Sequence, residues 1–212
     1  MVETDNQPIT SRFGEAVWIT DFITPENPDV VLKYQALTKG LSLPIDRVVA
    51  LSDYVTQLPY KAEINSKLSA ENYKYSQKDT WFYPAEAMRV KRLNCVNRSF
   101  LLASLLKNEF PSENDVFCVM GFVRIDGIGG HAWVQFNFQG QDYVLETTQP
   151  NLPKAFIPLS RLKGYDSKVY ITGENVYTVD EATDAAEVLN ARFGVCAVEF
   201  LRLYLCDRCL GL

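Results

Sequence analysis

The feature that most constrains this chain is the segment of residues 95–106, because apolar side chains occupy nearly every face of the helix it predicts. They are Val96, Phe100, Leu101, Leu102, Ala103, Leu105 and Leu106. A helix that is apolar all round is stable only when other elements cover it. Asn94 stands where a helix N-cap is expected, so the helix is predicted to begin at Cys95. The sequence therefore predicts a buried central helix with a cysteine at its first position.

Three further helices are predicted before the central one. The turn signal at residues 25–28 is followed by apolar residues at helical spacing, and Gly40 supplies a stop. A second helix opens at Pro44 and continues its apolar period to Leu58. A short third helix is expected from Pro84.

Three strands are predicted after the central helix, at residues 116–125, 132–138 and 141–146, and a further hairpin at 168–179. If Gln139 and Gly140 form a two-residue turn, paired residues of the second and third strands have numbers that add to 279. The pattern predicts an α+β fold in which the cysteine-bearing helix packs on an antiparallel β-meander.

The 212 residues, of which 47% are hydrophobic, leave room for one sizeable core rather than two. Residues 1–24 are expected to be an N-terminal extension with a polar, frayed beginning, and residues 25–179 the folded domain. Residues 180–212 are expected to be a C-terminal helical extension. Its apolar tail, from Val195 to Leu212, is too short and too interrupted by charge to span a bilayer. We expect it to pack on the domain or to support self-association.

Charge and cysteine content exclude several classes of partner. The chain carries 21 Lys and Arg against 26 Asp and Glu, which favours neither nucleic acid nor an anionic membrane. No basic, apolar leader or long uncharged apolar stretch is evident, so a cytoplasmic protein is expected. Its 5 cysteines then predict reduced thiols rather than a disulfide framework. A small-molecule or protein substrate fits this composition better, and the partner expected from the whole sequence is a peptide or protein substrate.

Cys95 is placed where a nucleophile would benefit from its surroundings. The unpaired N–H groups and positive dipole at a helix N-terminus favour a thiolate, which is the reactive form of cysteine. Further positive charge lies nearby in sequence, at Arg89, Lys91, Arg92 and Arg98. Taken alone, a cysteine on an apolar helix is more often an inert core residue.

His131 is the only histidine in the sequence, and it follows a Gly-Gly bend at the head of a strand. In the register given by the 139–140 turn, His131 faces Thr148, and Glu146 is its diagonal neighbour at roughly 7–8 Å between backbones. A carboxylate there can accept one imidazole N–H, which leaves the other nitrogen to take a proton from Cys95. The alternative is that Glu146 is a solvated charge at a strand end.

These residues resemble the transglutaminase-like superfamily, a papain-like group of thiol enzymes. The resemblance lies in Cys95 at its helix start, Gly-His-Ala-Trp-Val at 130–134 and Tyr-Val-Leu-Glu-Thr at 143–147, and residues 50–60 are similar to the helix upstream of the family's cysteine. It covers roughly residues 31–148. It implies acyl transfer through a thioester, with Cys95, His131 and Glu146 as a catalytic triad hydrolysing peptide or amide bonds or crosslinking proteins.

Two departures from the family pattern support a different interpretation. Leu93 stands where the family usually has Gly, and Glu146 where it usually has Asp. A catalytically inactive interaction module that keeps the fold is therefore the main alternative.

The substrate side of the site is predicted from aromatic residues. Tyr60, Trp81 and Trp133 are expected to contact substrate. The Cys95 backbone N–H is the expected first donor to an oxyanion. The second donor is left open among Tyr60, Trp81 and Gln57.

Cys206 and Cys209 have the spacing of a redox pair or half of a zinc site. A structural zinc ion needs four ligands, and no second cysteine pair is present to complete the set. No metal ion and no cofactor are therefore expected, and the two thiols are interpreted as part of the terminal helix.

Overall fold

The computed structural model describes residues 1–4, 8–10, 16–61, 81–124, 129–148 and 157–179. Within them, four α-helices occupy the predicted places: α1 (Pro28–Thr38), α2 (Pro44–Gln57), α3 (Pro84–Ala87) and α4 (Cys95–Leu106). The first three begin with proline, whose fixed φ and missing N–H suit the first helical position. These helices confirm the sequence prediction.

The strands of the described residues form a seven-stranded sheet in the order β1-β9-β8-β4-β5-β6-β7 and a separate β2-β3 pair. All neighbouring strands in both sheets are antiparallel. The bounds are β1 (Val2–Thr4), β2 (Pro8–Thr10), β3 (Ala16–Trp18), β4 (Val116–Val123), β5 (Gly129–Phe138), β6 (Gln141–Leu145), β7 (Ile157–Pro158), β8 (Tyr165–Ile171) and β9 (Val176–Thr178). The predicted α+β class and antiparallel meander are confirmed.

The register of the β5–β6 hairpin is the predicted one. Its pairs run from Phe138 with Gln141 to Val134 with Leu145. Gln139 and Gly140 have φ values of 54° and 77°, so both central residues of the turn are left-handed. Two positive φ angles match the twist of a two-residue hairpin, which is why this turn sets the register.

Helix α4 lies at the centre of the fold, as its composition requires. Its side chains share the main core with Ala132, Val134 and Phe136 on one face of β5 and with residues of α1 and α2. The alternate residue Trp133 lies on the opposite face of the sheet, in a smaller cluster with Val119, Val144 and Tyr170. The pleat of β5 therefore divides its side chains between two apolar layers.

One expectation about the edges of the sheet is wrong. The N-terminus is not frayed at Val2–Thr4, because this strand pairs with β9. At the other edge, Ile157 and Pro158 pair with β6. Proline is tolerated there because β7 is an edge strand, where a missing N–H removes no ladder hydrogen bond.

The proposed division of the chain stays a prediction. Residues 180–212, with Cys196, Cys206 and Cys209, lie outside the described residues. Ile19, Phe22 and Ile23 of the expected N-terminal extension belong to the main core.

Gly121 pairs with His131 where the register between β4 and β8 shifts. A Cβ atom added there would lie 2.2 Å from the Asp166 carbonyl oxygen and 2.9 Å from the Trp133 ring. We expect Gly121→Ala to lower the free energy of unfolding by about 1–3 kcal/mol, because the backbone must move. Urea denaturation measures this loss. Gly173→Ala is the matched control, since its nearest neighbour is 3.3 Å away and a smaller loss is expected. Equal losses would contradict the packing argument.

Candidate active site

The first turn of α4 fixes the position of Cys95. The Asn94 side chain accepts a hydrogen bond of 2.9 Å from the backbone N–H of Asn97, which caps the helix. The Asn97 side chain in turn accepts one of 2.7 Å from the backbone N–H of Phe82. Both asparagines are buried, whereas Cys95 is partly exposed. The helix start is therefore held rigidly while the thiol keeps access to solvent.

Leu93, the departure from the family's glycine, fits this backbone without strain. It makes a parallel bridge with Tyr60, in which the Leu93 N–H donates to Pro59 O and the Lys61 N–H donates to Leu93 O, both at 2.9 Å. Its side chain is fully buried in the main core. Among the described residues, Gln139 is the non-glycine residue with a positive φ, so the approach to Cys95 does not require glycine.

His131 and Glu146 form a buried pair across the end of the β5–β6 hairpin. His131 Nε2 lies 2.7 Å from Glu146 Oε2, and both side chains are almost inaccessible to solvent. The backbone ladder ends one residue before Glu146, yet the side chains meet as the register predicts. Glu146 is therefore a buried partner of the histidine and not a solvated charge.

The imidazole also contacts the cysteine. A side-chain hydrogen bond joins His131 and Cys95. Because Nε2 faces Glu146, Nδ1 is the ring nitrogen left for the thiol. The structure thus brings Cys95, His131 and Glu146 together in the order in which a nucleophile, a base and an orienting carboxylate are needed.

The pKa values of His131 and Glu146 are shifted in opposite directions. Burial would lower the pKa of His131, but the charge of Glu146 and the hydrogen bonds to Cys95 and Glu146 outweigh it and raise this pKa well above 6.5. Burial would raise the pKa of Glu146, but the charge and hydrogen bond of His131, with hydrogen bonds from Thr148, lower it to about 2. The site therefore stabilises an imidazolium facing a carboxylate, which is the state that His131 reaches once it has taken a proton.

The Glu146 carboxylate is held by more than the histidine. The Thr148 N–H and hydroxyl donate to Oε1 at 2.7 Å and 2.8 Å. The Tyr165 hydroxyl donates to Oε2 at 2.8 Å. Burial, followed by the charge of Glu146, raises the pKa of Tyr165, so the phenol stays a donor. Sequence reasoning missed Tyr165, because it begins a strand that was predicted to start three residues later.

Arg98 is the member of the predicted basic group that belongs to the site. Its guanidinium is buried, donates to the carbonyl oxygens of Thr147 and Leu58, and lies 5.0 Å from the centre of the Tyr60 ring. It therefore ties the cysteine helix to the backbone next to Glu146. Arg89, in contrast, is exposed and pairs with Asp29.

We expect Arg98→Met to lower the free energy of unfolding by about 1–3 kcal/mol, because two carbonyl oxygens lose a charged donor. Arg89→Met is the matched control, since exposed ion pairs contribute about 0–1 kcal/mol. Chemical denaturation of both variants tests this. Equal stability of the two variants would show that Arg98 does not connect the elements as described.

The three aromatic residues expected to contact substrate occupy different environments. Tyr60 is 38% exposed, whereas Trp81 packs edge-on against Phe22 at 5.7 Å and against Phe100 at 5.8 Å. Trp133 is fully buried, so the expectation that it contacts substrate is wrong. Its ring lies beside His131 at 6.1 Å and supports the imidazole.

The described residues offer no other reactive centre. Cys118 is buried in the core, and burial raises the pKa of its thiol well above the ordinary value. In the described ranges, no group of three or more His, Cys, Asp or Glu side chains is arranged to hold a metal ion. No helix in this part of the chain has the length and apolar character needed to cross a membrane.

Comparison with known proteins supports the architecture. No family model matches the sequence, and a search of curated proteins finds no match. Among solved structures, Legionella pneumophila LapG is similar with a TM-score of 0.52 at 10% identity, over 91% of this chain and 99% of that one. EGTA-treated Legionella pneumophila LapG gives 0.53 at 10% identity over the same shares. At this identity the similarity shows the fold alone: the chain shares the mixed helix and antiparallel-sheet architecture of LapG.

Proposed function

We propose that this protein is a thiol hydrolase that cleaves peptide or amide bonds, with Cys95 as nucleophile, His131 as base and Glu146 as orienting acid. One observation carries the proposal: the imidazole is held 2.7 Å from a buried carboxylate while it hydrogen-bonds the thiol at the start of α4. The fold shared with LapG, a cysteine protease, supports the same reaction class.

The reaction begins when His131 Nδ1 takes the proton of the Cys95 thiol, and the thiolate attacks the substrate carbonyl carbon. The resulting oxyanion lies at the N-terminus of α4, where backbone N–H groups have no intrahelical acceptor. The Cys95 N–H is the first donor. His131 then returns its proton to the leaving amine as the C–N bond breaks, which leaves a thioester on Cys95.

The thioester is resolved by water. His131 takes a proton from the water as its oxygen attacks the acyl carbon, and the C–S bond breaks to release a carboxylic acid. The proton returns to the cysteine sulfur, which restores the starting state. Glu146 stays ionised throughout, because its role is to fix the imidazole tautomer and stabilise the imidazolium.

The rival to catalysis is an interaction module that keeps the fold without activity. The site argues against it, since burying a carboxylate opposite an imidazole costs free energy that an apolar pair would avoid. A protein-crosslinking activity would use the same thioester with an amine in place of water. We favour hydrolysis because water is the default acceptor.

Digestion of a proteome-derived peptide library tests the proposal, with new termini identified by mass spectrometry. We expect the wild type to generate new termini and Cys95→Ala to generate none. A parallel reaction with a fluorescent primary amine distinguishes acyl transfer from hydrolysis. Absence of both products from the wild type would favour the interaction module.

A further inference from the structure

The Glu146 carboxylate receives four hydrogen bonds, and three of them come from two residues that have no part in the reaction steps above. Oε2 receives hydrogen bonds from both His131 Nε2, at 2.7 Å, and the Tyr165 hydroxyl, at 2.8 Å. Oε1 receives both donors of Thr148. The four donors fix both oxygens of the carboxylate, and with them its plane.

Tyr165 and Thr148 also contact the imidazole. The Tyr165 ring meets the His131 ring edge-on at 6.5 Å and the Trp133 ring at 5.0 Å. The Thr148 hydroxyl lies 3.3 Å from His131 Nε2. Each residue therefore contacts both the imidazole and the carboxylate. Tyr165 binds Oε2 of Glu146, and Thr148 binds Oε1.

We infer that Tyr165 and Thr148 are positioning residues that hold the Glu146 carboxylate, and through it the His131 ring, in the orientation in which Nδ1 faces Cys95. The inference rests on the proposed function, since it describes how His131 and Glu146 are held in the orientation that the reaction needs. Glutamate makes such a clamp necessary: its side chain has one more rotatable bond than aspartate, so the carboxylate needs fixing from more than one direction.

The test uses two readouts on Tyr165→Phe, which removes the hydroxyl and keeps the ring. The first is the rate of Cys95 alkylation by iodoacetamide at pH 6, measured on the Cys95 peptide. The second is the ¹⁵N NMR titration of the imidazole. The imidazole signals need no assignment, because the sequence contains a single histidine. The purification tag must therefore contain none.

We expect Tyr165→Phe to slow Cys95 alkylation about tenfold, as loss of a hydrogen bond to a charged group predicts. The imidazole titration midpoint should fall, because the carboxylate moves away from the imidazolium. Tyr177→Phe is the matched control: its hydroxyl is 3.5 Å from the Glu113 carboxylate, outside the site. It should leave both readouts unchanged. A merely structural role for Tyr165 would lower the melting temperature without moving the titration.

Thr148→Val is the second variant, since it removes a hydroxyl donor on the other oxygen and keeps the backbone N–H. It decides the question if Tyr165→Phe does not fold, and it is expected to slow alkylation in the same direction. Wild-type behaviour of the folded variants, together with slow alkylation in His131→Ala, would overturn this inference and leave the proposed function standing. Wild-type alkylation in His131→Ala would instead remove the proposed function and the inference with it.

Discussion

Replacing Glu146 with Gln is expected to slow Cys95 alkylation at pH 6 about tenfold or more, as expected for a thiol that loses its cationic partner. The reason lies in the direction of the hydrogen bonds. The Thr148 backbone N–H can only donate, so the glutamine carbonyl oxygen must face Thr148. The amide NH₂ then faces His131 Nε2, which must become the acceptor. Nδ1 consequently carries the proton, and it cannot take one from Cys95.

Glu146→Asp is the matched control for this prediction. It keeps a carboxylate, and with it the correct tautomer, but shortens the arm by one methylene group. We expect an intermediate rate, and a melting curve for each variant confirms that the fold is retained. A Gln variant that is alkylated as fast as the Asp variant would show that the tautomer of His131 does not control the thiol.

The stability supplied by the His131–Glu146 pair should depend on pH in both directions. Because the pKa of Glu146 is lowered from 4.5 to about 2, its contribution is present above pH 4.5 and is lost as the pH falls toward 2. Because the pKa of His131 is raised above 6.5, its contribution is present below pH 6.5 and is lost as the pH rises through the higher value. The pair therefore stabilises the fold most between pH 4.5 and 6.5.

The shift of the Glu146 pKa corresponds to on the order of 3 kcal/mol. This is the stability of one shared ion pair, so the two residues do not contribute it twice. Urea unfolding of the wild type, His131→Ala, Glu146→Gln and the double variant, repeated from pH 3 to pH 9, isolates the coupling between the two side chains. A coupling energy that is flat across this range would contradict the ion pair.

Much of the fold could be predicted because local signals and the global architecture agree. The Asn94 cap and the apolar face of α4 fix where Cys95 lies, and the Gln139–Gly140 turn fixes the register that brings His131 and Glu146 together. Neither inference requires knowledge of distant contacts, because a helix start and a two-residue hairpin are both set by neighbouring residues.

The residues that could not be predicted are those whose roles depend on elements far apart in the chain. Tyr165 lies 19 positions after Glu146 and reaches it from β8, on the far side of β4 and β5. Arg98 contacts the carbonyl oxygen of Thr147, 49 positions away. No periodicity or spacing in the sequence marks such contacts.

The burial of Trp133 could not be predicted for a different reason. Its place two residues after His131 puts it on the same face of β5. That face is closed by a second apolar layer that includes Val119, Val144 and Tyr170. Sequence alternation gives the side of the sheet on which a residue lies, but not whether that side is covered.

The central claim is that His131 activates Cys95, and the alkylation rate of Cys95 in wild type and His131→Ala tests it most directly. Labelling is read on the Cys95 peptide at pH 6, with the buried Cys118 as an internal reference. The proposed site predicts fast labelling of Cys95 in the wild type and a rate at least about tenfold lower in His131→Ala, because the thiolate loses its cationic partner. Slow labelling that is the same in both proteins would contradict the catalytic site and support an interaction module.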